Sequence, residues 1–141
     1  SGDEISDLSF FSSFKRIKEI SIYNTHVEPS QLAQFTELES LTIYQRRGGP
    51  KDYSHLEELK NLKKLEIFDD QLNFLDVSFL SKLSSLEEFK TENLTDFTAL
   101  RELKNLKVIR SRSLYNDQDQ KEDINEYRRK NGLSKLKFLA Y

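Results

Sequence analysis

A short motif of apolar residues, called here the short apolar phrase, recurs along the chain. Leu62, Leu65 and Ile67 stand at positions one, four and six of this unit, and five other segments repeat its frame. The other copies are Ile17, Ile20, Ile22; Leu38, Leu41, Ile43; Leu86, Phe89, Thr91; Leu106, Ile109, Ser111; and Leu133, Leu136, Phe138. Because the copies begin 20 to 27 residues apart, the pattern indicates a repeat architecture in which each unit packs mainly on its neighbours.

Each unit predicts a strand followed by a short helix. Positions four and six are two residues apart, so a strand points both side chains to one face. Helical spacing of apolar residues follows the strand in three units. These segments are Leu56 with Leu59, Phe79 and Leu80 with Leu83, and Phe97 and Leu100 with Leu103. Neither element buries its apolar side alone, but a stack of units forms one continuous core.

From about Leu8 to Phe138, these features resemble the leucine-rich repeat. The resemblance implies an α/β fold, a right-handed solenoid with a parallel concave sheet of about six short strands. Short helices or 3₁₀ turns would form its convex side. Typical repeats place an Asn three residues after the last strand position, whereas this chain has Thr25, Arg46, Asp70, Leu94 and Leu114 there. These departures and the variable spacing indicate a short, irregular solenoid. The small size, the high content of Lys, Glu and Asn and the absence of Cys are typical of a bacterial protein.

The chain is expected to form a single domain, 1–141, with a cap at each end. Apolar residues spaced by three predict a short helix in the N-terminal cap, 1–16. They are Ile5, Leu8, Phe11 and Phe14. The repeats would occupy 17–112, where Pro29 suits the first turn of a helix and QRRGGPKD predicts a loop.

Residues 113–141 depart furthest from the period and predict a C-terminal cap that includes the last strand. Ile124 and Tyr127 lie three apart, as on one side of a helix, and Gly132 stands where such a helix would end. The polar face of a cap keeps an open-ended stack soluble.

Composition suits a thin solenoid and narrows the chemistry. Charged residues make up 33% of the 141 residues, and there is no cysteine, which excludes disulfides and Cys-ligated metals. His26 and His55 are too few for a zinc site. The serines lack a nucleophile-elbow pattern, and the adjacent acids Asp69 and Asp70 would point to opposite faces of a strand. We therefore expect no enzyme activity and no cofactor.

The location of the protein is only partly constrained. No run of about 18 apolar residues occurs, so we expect no membrane span. The absence of cysteine favours the cytoplasm. The sequence begins with Ser-Gly rather than Met, so a surface-exposed or periplasmic protein stays open.

Charge is unevenly distributed along the chain. The formal net charge is −2 for residues 1–50, −5 for 51–100 and +5 for 101–141. The basic residues Arg110, Arg112, Arg128, Arg129 and Lys130 are the starting point for a nucleic-acid interpretation. Because the middle repeats are acidic and the pI is about 5.8, a phosphate backbone would be repelled, and we expect no nucleic-acid partner.

Strand positions that point away from the core predict a partner-binding face. Position seven reads Tyr23, Tyr44, Phe68, Glu92 and Arg112 in successive units. Positions five and eight add further side chains to the predicted concave site, namely Glu66, Asp69, Lys90 and Arg110. Interface centres are enriched in Tyr, Phe and Arg, although aromatic residues can also simply cover strand edges.

The sequence therefore predicts a non-catalytic protein–protein interaction module, monomeric when free, that binds a protein on its concave strand face. Two narrower alternatives stay open. One is an intracellular inhibitor or immunity protein that neutralises a toxin or enzyme. The other is a cell-surface or lipoprotein domain used in adhesion.

Overall fold

The computed structural model describes residues 7–14, 16–24, 27–45, 52–92, 94–114 and 116–140. Its centre is a parallel sheet of six strands, each paired with the next one along the chain. The strands are β1 Glu19–Tyr23, β2 Ser40–Gln45, β3 Lys64–Asp69, β4 Glu88–Thr91, β5 Val108–Ser111 and β6 Lys137–Leu139. A spatial order that equals the chain order is expected of stacked repeats.

Short helices connect the strands. Two are α-helices, α1 Pro29–Leu32 and α2 Gln118–Lys130. The others are 3₁₀ helices at Ser9–Ser13, Ser54–Glu58, Leu72–Phe74, Ser78–Lys82 and Thr98–Leu100. Pro29 begins α1 as predicted, because its fixed φ suits a first turn that needs no N–H bond. The predicted α/β solenoid of six short strands and short helices is confirmed.

The strand register follows the predicted frame through β5. Position four pairs residue for residue as Ile20, Leu41, Leu65, Phe89 and Ile109. Position six is buried in all five of these strands, at Ile22, Ile43, Ile67, Thr91 and Ser111. The leucines of the predicted helical segments, such as Leu56, Leu59 and Leu83, are also fully buried. The core therefore lies between the sheet and the short helices.

The last copy of the repeat is displaced by two residues from the predicted frame. Phe138, assigned to position six, pairs with Ile109 of position four. Lys137 likewise pairs with Val108. The alternation of faces is unchanged, because a shift of two preserves the side to which each side chain points. Phe138 therefore still packs against the core.

An Asp-x-Ser/Thr sequence starts four of the 3₁₀ helices, and the apolar pattern did not reveal it. The aspartates are Asp7, Asp52, Asp76 and Asp96. Each accepts a hydrogen bond of 2.7 to 2.9 Å from the backbone N–H two residues later. Hydrogen bonds from the backbone and side chain of that Ser or Thr lower the pKa of all four carboxyl groups. These turns fix the entry into the helix.

Helix α2 connects β5 to β6 and packs on the repeat that precedes it. Asp117 caps its first turn by accepting from Gln120 N, and Gly132, with φ +69°, follows its last turn as predicted. Ile124 is buried and Tyr127 is half-buried, as the spacing predicted. Arg128 is fully buried, so it is not available to the phosphate groups that the nucleic-acid interpretation required.

The N-terminal segment covers its end of the core less completely. Leu8 and Phe11 pack against the core, but Phe14, predicted to share their stripe, is 53% exposed. The 3₁₀ helix ends at Ser13, and Phe14 follows it with a non-helical backbone, φ −91° and ψ 61°. The alignment of side chains three apart within a 3₁₀ helix therefore does not extend to Phe14. Among the predicted features, Ile5, the loop at 46–51, Thr25 and His26 lie outside the described residues.

Candidate partner-binding face

Three aromatic side chains form a column on the sheet face opposite the core. Tyr23, Tyr44 and Phe68 pair in register across β1, β2 and β3. Their ring centroids are 6.2 Å apart for Tyr23 and Tyr44, and 5.7 Å apart for Tyr44 and Phe68. The spacing follows from the separation of neighbouring strands, about 4.8 Å. Tyr23 is 61% exposed, and the other two rings are half-buried.

Charged side chains continue this face across β3, β4 and β5. Glu66 lies between two ammonium groups, 3.1 Å from Lys64 Nζ and 3.6 Å from Lys90 Nζ. Lys90 Nζ also lies 5.3 Å from the centroid of the Phe68 ring, within cation–π range. Arg110 Nε donates to Glu88 Oε1 over 2.6 Å. These contacts hold the charged side chains against the sheet, and the contact between Lys90 and Phe68 places them next to the aromatic column.

Glu92 and Arg112 extend the row of the aromatic column beyond Phe68. Each directly follows a strand residue, and those residues, Thr91 and Ser111, pair with one another. Both side chains belong to exposed residues. The row thus changes from aromatic at β1 to β3 to charged at the ends of β4 and β5. The paired strands bring six of the nine predicted site residues to one surface, which we call the strand face: Tyr23, Tyr44, Glu66, Phe68, Lys90 and Arg110. Glu92 and Arg112 are exposed and follow directly at the ends of β4 and β5.

Asp69 is the exception, because it lies on the core side of the sheet. It is 1% exposed, and its Oδ2 accepts a 2.6 Å hydrogen bond from the hydroxyl of Tyr53. Its Oδ1 accepts from Gln71 N over 2.8 Å and closes the turn after β3. Strand β3 continues to Asp69, so position eight keeps the alternation and points inward like position six. Asp69 is therefore a structural residue of the turn rather than part of the strand face.

Tyr53 is the partner that the sequence did not connect with Asp69. Its side chain is fully buried and lies 6.1 Å, centroid to centroid, from Phe79. Burial, together with the hydrogen bond to Asp69, raises the pKa of the Tyr53 hydroxyl. The hydroxyl therefore stays protonated and donates to the carboxylate. Two signals in the sequence were available: the alternation of β3, and the bulky Tyr53 directly before the 3₁₀ helix Ser54–Glu58.

A ladder of alternating charge runs along the edge of the sheet where the strands begin. Its members occupy position two of successive units: Lys18, Glu39, Lys63, Glu87 and Lys107. Glu39 lies 3.2 Å from Lys18 Nζ and 2.8 Å from Lys63 Nζ. A 2.6 Å contact joins Glu87 to Lys107. Hydrogen bonds from Lys63 and Lys107 lower the pKa of Glu39 and of Glu87, respectively. This ladder borders the strand face and keeps its edge solvated.

The described ranges contain open grooves but no cluster of metal ligands. No group of three His, Asp or Glu side chains there is arranged to hold a metal ion. Two open grooves lie at the ends of the stack, about 900 Å³ beside β6 and about 320 Å³ beside β1. Within the same ranges, no helix is both long enough and apolar enough to cross a membrane.

Comparison with known proteins places the architecture. No protein-family model matches the sequence, and no curated protein matches it significantly. Among solved structures, an internalin, InlF, from Listeria monocytogenes str. 4b F2365 is similar, with a TM-score of 0.62 and 20% identity over 78% of this chain. Internalin C2 from the same strain is similar over 97% of this chain, with a TM-score of 0.60 and 20% identity. The chain spans 32% of the first protein and 57% of the second.

The six-stranded parallel sheet, the repeat register and the likeness to internalins define the class. The chain has the leucine-rich-repeat fold, as the short apolar phrase predicted. At 20% identity the likeness concerns architecture, so the activity has to be argued from the residues of the strand face.

Proposed function

We propose that this protein is a non-catalytic interaction module that binds a protein partner on its strand face. The observation that carries the proposal is the column of Tyr23, Tyr44 and Phe68. Aromatic residues supply much of the energy of protein interfaces. Lys90 borders this column, and Arg110 lies one strand further along the same face. The column therefore offers an apolar centre next to charged groups, the usual anatomy of an interface.

A structural role in covering strand edges is the alternative for these rings. The core does not require them, because positions four and six of β2 and β3 are already fully or almost fully buried without their help. The exposure of Tyr23, 61%, leaves much apolar area available to a partner. The same face would serve a toxin inhibitor or an adhesion domain, which differ in the partner. Cytoplasmic localisation stays a prediction from the sequence.

The test compares face and back variants as bait. Immobilised wild-type protein, Tyr44→Ala/Phe68→Ala and the back-side control Glu58→Ala are exposed to an extract of the source cells, and retained proteins are quantified by mass spectrometry. A specific partner should be retained by wild type and control and depleted on the double variant. Calorimetry with the purified partner should then show a loss above about 1 kcal/mol for each single variant, as for interface anchors.

Folding of each variant is checked by circular dichroism and a thermal melt before binding is compared. Equal affinity of the wild type and the folded double variant, with a loss from Glu58→Ala instead, would move the site to the helical side. A reproducible hydrolytic activity that a single Asp, Glu or His substitution abolishes would contradict the non-catalytic assignment.

A further inference from the structure

The sheet has two unpaired edges, one at each end of the stack. Among the described residues, β1 pairs only with β2 and β6 only with β5, so each leaves one side of its backbone unpaired within that part of the sheet. Successive strands are parallel throughout. The free side of β6 corresponds to the side of each earlier strand that pairs with the next strand in the chain. The free side of β1 corresponds to the side of each later strand that pairs with the previous strand. A second copy can therefore continue the sheet in the same direction.

The internal register fixes which residues would meet. Lys137 and Phe138 align with Val108 and Ile109, and that row reaches Glu19 and Ile20 through the other strands. Placing β1 of one copy after β6 of another in the same register brings Glu19 opposite Lys137. It also brings Ile20 opposite Phe138. Opposite charges and two apolar groups would then face each other across neighbouring strands, both stabilising arrangements.

Within one copy, the two apolar residues of these pairs are only half-buried and the two charged residues form no ion pair in the described structure. In position four the inner members Leu41, Leu65 and Phe89 are fully buried, whereas Ile20 and Phe138 at the ends are half-buried. Within the described residues, no ion pair engages Glu19 or Lys137. The two ends thus leave unburied apolar surface and unpaired charge at matching positions.

The grooves at the two ends are complementary in character. The groove beside β1 is lined mainly by apolar residues, among them Leu8, Phe11 and Ile17. Leu133 and Leu139 also line the groove beside β6, whose lining is otherwise largely polar and contains more basic residues, such as Arg129, than acidic ones. Net charge is −2 over residues 1–50 and +5 over 101–141, so unlike ends attract.

The length of the possible contact is limited at its start. The side chain of Asn125 forms two hydrogen bonds with the backbone of Leu136. It accepts from the N–H over 2.8 Å and donates to the carbonyl oxygen over 3.3 Å. Strand pairing to a second copy therefore begins at Lys137 and covers the three residues of β6. A contact this small belongs with the weak, transient interfaces. The protein is then a monomer when dilute, in agreement with the sequence-based prediction.

We propose that the protein self-associates head to tail when concentrated, with β6 of one copy pairing in parallel with β1 of the next. The contact is heterologous, so it leaves a free β1 and a free β6 on every assembly and adds copies without a fixed limit. The chemical determinants are the Glu19–Lys137 charge pair and the Ile20–Phe138 apolar pair.

Sedimentation velocity tests this proposal over protein concentrations from about 5 to 500 μM, a range suited to weak association. The weight-average sedimentation coefficient should rise with concentration, and the rise should shrink when sodium chloride is increased to about 0.5 M. Glu19→Lys and Lys137→Glu should each suppress the rise, because each creates a like-charge pair. The double variant Glu19→Lys/Lys137→Glu restores opposite charges and should recover it.

Matched controls carry the same charge changes elsewhere. Glu58→Lys and Lys104→Glu alter exposed residues on the helical side and should leave the concentration dependence unchanged. Thermal melts establish that every variant is folded. A sedimentation coefficient that stays constant to 500 μM would overturn the proposal. So would association that stops at a dimer, or that neither single charge variant weakens.

Discussion

The buried guanidinium of Arg128 offers the sharpest test of how the C-terminal end is held. Arg128 is 0% exposed, and its nitrogen atoms donate to four backbone carbonyl oxygens. The acceptors are Ser134 at 2.6 Å, Leu103 at 2.9 Å, Arg101 at 3.0 Å and Leu106 at 3.3 Å. The first lies beyond α2, and the other three lie in the turn before β5. One side chain therefore joins helix α2, the approach to β6 and the preceding repeat.

Replacement by methionine keeps the apolar stem and removes the donors. The carbonyl of Leu103 keeps a bond from Leu106 N, so three carbonyls lose a hydrogen bond that nothing else in the described structure replaces. At about 1 kcal/mol net for each hydrogen bond, Arg128→Met should lower the free energy of unfolding by roughly 3 kcal/mol. For a chain of this size, that corresponds to a fall in Tm of roughly 10 °C.

Arg128→Lys separates charge from geometry. A lysine keeps the positive charge but lacks the planar fork that reaches several carbonyls at once. It should destabilise at least as much as methionine, because a buried charge would be left with fewer hydrogen bonds. Urea unfolding measured by circular dichroism gives the free energies, with Arg129→Met, an exposed neighbour, as control. The refuting outcome is that Arg128→Met and Arg129→Met change the free energy of unfolding by amounts that agree within about 0.5 kcal/mol, the range of ordinary surface changes. That result would contradict both a stabilising role of the Arg128 hydrogen bonds and the proposal that 113–141 forms a C-terminal cap.

Two further predictions concern the core and the turns. Leu65→Asp should unfold the chain because it buries an unpaired carboxylate. Lys64→Ala, at an exposed position, should change the free energy of unfolding by less than about 1 kcal/mol. Equal thermal melts of the two variants would contradict the repeat register. The hydrogen bonds from Thr98 lower the pKa of Asp96 in the folded protein, so its stabilising effect is present above the unfolded pKa of about 3.9 and is lost as pH falls through the folded value. Stability measured by urea unfolding from pH 6 to pH 2.5 should therefore fall less steeply in Asp96→Asn than in the wild type, and parallel curves would exclude this contribution.

The apolar pattern predicted the inward rows because burial imposes a period of two on a strand. Leu65 and Ile67 could be assigned to the core from their spacing alone. The strand face followed by elimination, which is why Tyr44 and Phe68 were placed correctly. Asp69 was placed on the wrong side because position eight was grouped with positions five and seven. Strand β3 continues through Asp69, and the alternation turns this residue inward.

Other features depend on contacts that a local pattern does not contain. Arg128 reads as a surface charge in the sequence, since its carbonyl acceptors lie up to 27 residues away. The predicted repeat frame of the last strand was wrong by two residues, because α2 lengthens the final unit. Leu133, Leu136 and Phe138 then fit the apolar phrase in more than one frame. The turns at Asp52 and Asp76 carried a readable Asp-x-Ser signal that an apolar search passed over.

The central claim is that a protein partner docks on the strand face, and site-specific photo-crosslinking tests it most directly. A benzophenone amino acid is introduced in place of Tyr44, at the centre of the aromatic column, and separately in place of Glu58 on the helical side. Both proteins are irradiated with the partner isolated on the wild-type bait. The proposed function predicts a crosslinked product of the combined mass from position 44 and none from position 58. Crosslinking from position 58 alone would contradict it.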